Sequence, residues 1–181
     1  MKATETAKKL LKEREGLRLE AYPDERGIWT IGYGHTPATK GQKISKDEAE
    51  YLFNSDLLTT EETINRNVKT KITQPMFDAL CVFVFNIGEP QFLTSTILKK
   101  INASDFEGAA SEFARWNKIT VDGKKIVSKG QTTRRAIEES LFRTGLEAVK
   151  KAAPTVGIIL AMASLYLLYR MFTSGQELRF R

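Results

Sequence analysis

The sequence predicts an α+β fold that is mainly helical, with a small β-containing region followed by a helical lobe. Three observations predict it. Residues 28–33 are rich in aromatic and β-branched side chains and sit among glycines, which favours a short twisted strand. From Ser45 onward, apolar residues recur at helical spacing between capping residues. Near the end, residues 152–169 carry no charge and read as one hydrophobic helix.

The elements follow in order. Thr4 is placed to cap a helix running to about Arg14, with Ala7, Leu10 and Leu11 on one face. Glu15 then lies at the helix end, before Gly16, a good terminator. Residues 23–27 read as a turn, 28–33 as a strand, and 17–43 together as a small twisted β region. Ser45 and Glu48 form a capping-box pattern ahead of a helix over 46–55. The pattern is helical again from Leu57 to about Asn67, which allows a long connecting helix. Residues 74–86 are strongly apolar and long enough for a helix. Gly88, Pro90 and Gln91 mark a bend. Helices are expected over 94–102, 104–116 and 132–144. Between the last two, Asp122-Gly123 separates two short β-prone runs, a hairpin signal.

Composition narrows the functional classes. The 181 residues suffice for one domain, or one domain of two lobes, with a sizeable core. The 28 Lys and Arg residues outnumber the 22 Asp and Glu residues, giving a net charge of +6. Such a surface suits nucleic acid, an anionic membrane or an anionic bacterial envelope. The basic residues are scattered rather than clustered, so nucleic acid is not expected as a partner. The single cysteine, Cys81, excludes an internal disulfide; its apolar neighbours make it a buried small hydrophobe. His35 is the only histidine, and no ligand cluster accompanies it, so neither metal nor cofactor is expected. The first nine residues lack the apolar segment of a secretory signal.

The chemistry concentrates in one stretch, Glu15-Gly-Leu-Arg-Leu-Glu-Ala-Tyr-Pro-Asp24-Glu-Arg-Gly-Ile-Trp-Thr30-Ile-Gly-Tyr-Gly-His35-Thr36. Eight residues separate Glu15 from Asp24, and five separate Asp24 from Thr30. Glycoside cleavage requires one carboxyl group as acid and a second as base or nucleophile. A hydroxyl beside the second carboxylate can hold the attacking water. This spacing resembles that of the phage lysozymes (endolysins, glycoside hydrolase family 24). The resemblance continues through 44–56, 85–102, 112–118 and 134–145, and covers roughly residues 4–146.

The resemblance implies a lysozyme-like two-lobed fold with saccharide bound between the lobes. It implies Glu15 as general acid, Asp24 as general base or charge-stabilising carboxylate, and Thr30 as the group that positions water. Inversion is favoured. Phe85 and Asn86 match positions that line the family's cleft, with Ser95 a further substrate-binding candidate. The family's turn histidine pairs with an aspartate on the next helix, which here implies a structural ion pair between His35 and Asp56. Trp29 and Trp116 are expected in the core. Arg134 and Arg135 echo the family's paired arginines, but Gln131 departs from its pattern after Gly130.

The resemblance stops before the last 35 residues. The expected organisation is a catalytic domain over 1–146, with a β-containing lobe over 17–56 and a helical lobe over 57–146, followed by a hydrophobic C-terminal helix over 147–181. The charge-free 152–169 holds 18 residues, near the lower limit for a membrane span. Arg170 can snorkel, extending the span to Phe172. Tyr166 and Tyr169 suit an interface, and Gly157 with Ala161 offers a small-xxx-small face for packing against another helix. The expected partners are therefore bacterial peptidoglycan and, through 152–172, a lipid bilayer. The expected location is a host inner membrane or virion membrane, facing periplasmic or cell-wall peptidoglycan. The expected activity is a muramidase cutting the β-1,4 bond between N-acetylmuramic acid and N-acetylglucosamine, for host lysis or entry. The alternatives are a lytic transglycosylase and a catalytically silent peptidoglycan-binding virion protein.

Overall fold

The computed structural model describes residues 1–24, 27–121 and 123–151, and the chain divides into two compact units, Met1–Gly145 and Leu146–Arg181. The first unit opens with α1, Glu5–Glu15, whose cap Thr4 accepts the Ala7 amide on its side chain. Antiparallel strands β1, Arg18–Pro23, and β2, Trp29–Gly32, follow. Then come α2, Lys46–Asn67; α3, Gln74–Ile87; α4, Glu89–Thr94; α5, Thr96–Asn102; and α6, Phe106–Glu112. A 3-10 turn, Phe113–Trp116, leads into the hairpin β3, Lys118–Val121, and β4, Lys124–Val127. Residues 129–145 form the last helix of this unit, α7. Of the second unit, residues 146–151 are described, and they are helical.

The architecture is the mainly helical α+β arrangement that the sequence predicts, with differences in detail. Residues 46–67 are one unbroken helix, opened by the Ser45–Glu48 capping box. Where a bend was expected there is a short helix, α4. Gly88 adopts φ 84° to end α3, and Pro90 then falls in the first turn of α4. Proline is tolerated there because a first-turn amide has no intrahelical acceptor. The expected helix over 104–116 starts later and tightens: Ser104 takes φ 59°, Asp105 caps α6, and the end is 3-10. Pro23 closes β1 rather than opening the turn.

α3 forms the centre of the core. Every residue from Met76 to Val84 is buried, Cys81 and Asp78 included, as suits a helix apolar on all sides. Phe83 meets Phe113 and Trp116 edge-on, with ring centroids 5.1 and 5.4 Å apart, and Phe113 packs on Phe142. Each such buried phenyl contributes roughly 1.5–3 kcal/mol. Trp116 is half-buried and packs against this core through Phe83.

The start of α1 is tied to this core. The Ala3 amide donates to Glu61 on α2 at 2.7 Å, and the Thr4 amide and hydroxyl donate to Asp78 on α3 at 3.0 and 2.7 Å. These acceptors are buried carboxylates, so the bonds are charge-assisted and hold the helix axis firmly. Among the described residues no helix is long and apolar enough to cross a membrane. The stretch 152–172 lies outside the described residues.

Candidate active site

Glu15 is the last residue of α1, and Gly16, at φ 68°, turns the chain away into β1. A helix anchored at its start therefore presents this carboxylate at its other end. Arg134 of α7 donates from Nη1 to Glu15 Oε1 at 2.7 Å, and both side chains are largely shielded from solvent. The second oxygen, Oε2, faces Gly34. A Cβ on Gly34 would lie 3.5 Å from it, and Gly34 has φ 91°, so glycine serves both the turn and the close approach.

Asp24 and Thr30 are linked through the Ile28 backbone. The Ile28 amide donates to Asp24 Oδ1 at 2.9 Å. The Ile28 carbonyl accepts the Asp24 amide at 2.9 Å and the Thr30 hydroxyl at 3.1 Å. Thr30 stands opposite Tyr22 in the β1–β2 register, and Trp29 opposite Pro23, beside Asp24. Because the buried Thr30 hydroxyl spends its proton on Ile28, its oxygen is left as an acceptor.

His35 is fixed by the same β region. Its amide and carbonyl exchange hydrogen bonds with Ile31 at 2.8 and 3.0 Å, and its Nδ1 lies 2.9 and 3.1 Å from the two Asp56 oxygens. Asp56, Gly34, Thr36 and Phe85 line a hollow of about 180 Å³ together with Thr59, Thr60 and Glu89. Phe85 is partly exposed there and packs on Phe53 with centroids 5.7 Å apart.

The other two substrate-binding candidates make hydrogen bonds within the protein. Asn86 accepts a hydrogen bond from Arg135 through its side-chain oxygen. Ser95 is buried, and its hydroxyl caps α5 by accepting the Leu98 amide at 3.1 Å. Ser95 thus serves as a helix cap.

Arg135 and Glu138 form a buried ion pair at 2.7 Å, one turn apart on α7. Arg135 also bonds Gln131 at 2.9 Å and lies 5.0 Å from the Phe83 ring centroid. Burial pushes the Glu138 carboxyl up to about 7, against the attraction of Arg135. This pair braces α7 where Arg134 reaches Glu15.

Arg134 is the site residue that the sequence reading did not assign. Its signal was the adjacent Arg134-Arg135 pair, but nothing local shows that one arginine turns toward Glu15 and the other inward. The Ile28 backbone gave no signal, because main-chain groups are the same in every residue.

Comparison with known proteins places the chain in a family. The sequence matches the phage lysozyme family over residues 12–138. An endolysin of Acyrthosiphon pisum secondary endosymbiont phage 1 is 43% identical over 136 residues, spanning 75% of this chain and 93% of that protein. Among solved structures, the muramidase domain of SpmX from Asticaccaulis excentricus has a TM-score of 0.72 at 38% identity, covering 78% of this chain and 97% of that one. The endolysin from Escherichia coli O157:H7 phage FAHEc1 has a TM-score of 0.71 at 37% identity, over 78% and 93% of the two chains. With the family match spanning most of the first unit, the chain belongs to the phage lysozyme family.

Proposed function

We propose that this lysozyme hydrolyses the β-1,4 bond between N-acetylmuramic acid and N-acetylglucosamine in bacterial peptidoglycan, with inversion. The observation that carries the catalytic assignment is the linkage of Asp24 and Thr30 through one residue's backbone, on the strand pair that follows directly from Glu15. Arg134 orients Glu15 through Oε1, so the proton needed by the leaving oxygen is carried on Oε2. Asp24 takes a proton from the water that Thr30 helps to hold, and the water's oxygen attacks the anomeric carbon as the glycosidic bond breaks. Water on the face opposite the acid gives inversion.

The test is mass spectrometry of purified peptidoglycan digested by the wild type and by Glu15→Gln. Reducing muropeptides from the wild type alone are expected. Anhydro products would make the protein a lytic transglycosylase. No product from either folded protein would leave a binding or virion structural role. Proton NMR of fresh product distinguishes inversion from retention by the first anomer formed.

We also propose that 1–146 is the catalytic domain and that 152–172 anchors it to a host inner membrane or virion membrane. The support is sequence alone: 18 charge-free residues, with Lys150 and Lys151 before them and Arg170 after. Carbonate extraction of membranes tests it, since an anchored chain stays in the pellet.

A further inference from the structure

We propose that the β3–β4 hairpin docks on an anionic lipid bilayer, lying in its headgroup region. This goes beyond the catalytic reading and beyond the proposed anchor at 152–172, and it rests on neither.

The hairpin is exposed on both faces. Of its eight strand residues only Ile119 is half-buried, and the other seven are exposed. The Ser128 amide closes its base by donating to the Asn117 carbonyl at 2.9 Å. Val121, Ile126 and Val127 are 42%, 46% and 62% exposed. Aliphatic side chains exposed singly are ordinary, but three on one small hairpin make a patch of the kind that marks an interaction surface.

Positive charge is interleaved with this patch. Residues 118–129 hold Lys118, Lys124, Lys125 and Lys129 against one acid, Asp122. That surplus of three is half of the chain's net charge of +6, carried by 12 of its 181 residues. In sequence these lysines are interrupted by aliphatic residues, and the antiparallel register brings them together. Among the described residues none of the four has an ion-pair partner. By contrast, Lys8, Lys43 and Lys100 pair with Glu5, Glu20 and Asp105.

The register sets lysine against aliphatic. Lys118 stands opposite Val127 and Lys124 opposite Val121. Ile119, Val121, Lys124 and Ile126 share one face, and Lys118, Thr120, Lys125 and Val127 the other. Each face therefore offers both aliphatic groups and an ammonium. That combination fits a bilayer surface. Aliphatic side chains reach the acyl boundary while ammonium groups, on flexible stems, stay at the phosphates. Each lysine near an anionic leaflet adds about fivefold to binding. Strand edges find hydrogen-bond partners among headgroups but none in hydrocarbon, so the hairpin lies shallow. A soluble anionic polymer would use the lysines but gain nothing from Val121, Ile126 and Val127.

The experiment mixes the full-length protein with vesicles of phosphatidylcholine, alone or with phosphatidylglycerol. Lysines are then acetylated briefly and mapped by mass spectrometry. The proposed anchor meets both vesicles alike, so a difference between them at the hairpin reports docking by charge. Lys124 and Lys125 are expected to react about tenfold more slowly on the anionic vesicles. High salt should restore their reactivity. Lys71, exposed before α3, should react equally on both. Lys124→Gln combined with Lys125→Gln should return Lys118 and Lys129 to their rate on phosphatidylcholine. Val121→Ser combined with Ile126→Ser keeps every lysine and should weaken the protection of Lys124 and Lys125. Equal reactivity of the wild-type hairpin on the two vesicles overturns the proposal, and that comparison needs no variant to fold. Protection of Lys71 to the same degree as Lys124 overturns it too, as general adsorption. Equal protection by soluble polyphosphate, unchanged by Val121→Ser with Ile126→Ser, assigns the surface to an anionic polymer and overturns the bilayer.

Discussion

Thr30 and Glu138 show how single side chains here act through their partners. Thr30 donates to Ile28 and keeps its lone pairs as acceptors, which the proposed mechanism uses to hold water. Thr30→Ala is expected to lower kcat about 10²-fold, the cost of a misplaced reactant. Thr30→Ser should restore most of it, and steady-state turnover of purified wall material measures both. Glu138 affects stability instead. Its carboxyl is held at about 7 in the folded chain, against an ordinary value of 4.5, chiefly by burial. Between these two pH values the folded chain keeps a proton that the unfolded chain has lost. Unfolding then releases protons, so this contribution to stability falls as pH rises from about 4.5 to about 7 and levels off above. Glu138→Gln mimics the protonated form. Urea denaturation should find it close to wild type at low pH. Near neutrality the variant should lack the wild type's loss, which is on the order of a few kcal/mol. Parallel stability curves for the two proteins would contradict this account.

Helix ends were the readable part at the scale of elements. Thr4 and Ser45 announce α1 and α2 because a capping side chain bonds only within its own turn. Helix contacts are less readable. Gly145 is helical, and a Cβ there would meet the Thr73 hydroxyl and lie 2.9 Å from the Met76 backbone nitrogen. Met76 sits in the first turn of α3, so that nitrogen cannot swing aside as a flexible side chain would. Gly145→Ala gains about 1 kcal/mol of helix propensity but overpacks this contact at a cost of roughly 1–3 kcal/mol. The expected net result is a lower Tm by calorimetry, the reverse of what propensity alone gives. α4 teaches the same lesson: Gly88 and Pro90 look like a bend in sequence, yet one ends a helix and the other opens the next.

For the whole molecule, the question is whether catalysis needs the last residues. Glu15, Asp24, Thr30 and Arg134 all belong to the unit Met1–Gly145, with its own core around α3. Removing 150–181 is therefore expected to leave a soluble enzyme that cleaves peptidoglycan at the full-length rate. Fractionation and turnover assays on the shortened chain check both. An unfolded product would make the tail part of the core.

The sequence by itself determined the fold class and the family, and it singled out the triplet proposed as catalytic. These are recorded in short-range patterns: Gly16 ending a helix, Ser45 with Glu48 opening one, and carboxylates and a hydroxyl at fixed spacing along 15–30. The tertiary structure decided what surrounds that triplet. Arg134 reaches Glu15 across 119 positions, and Arg135 reaches Asn86 across 49. Ser95 became a buried cap, and Arg14 and Arg134 came to line one hollow. The physical reason is range. Caps and turns are settled by bonds within a few residues, whereas an ion pair between distant helices exists only once packing has fixed where each helix lies.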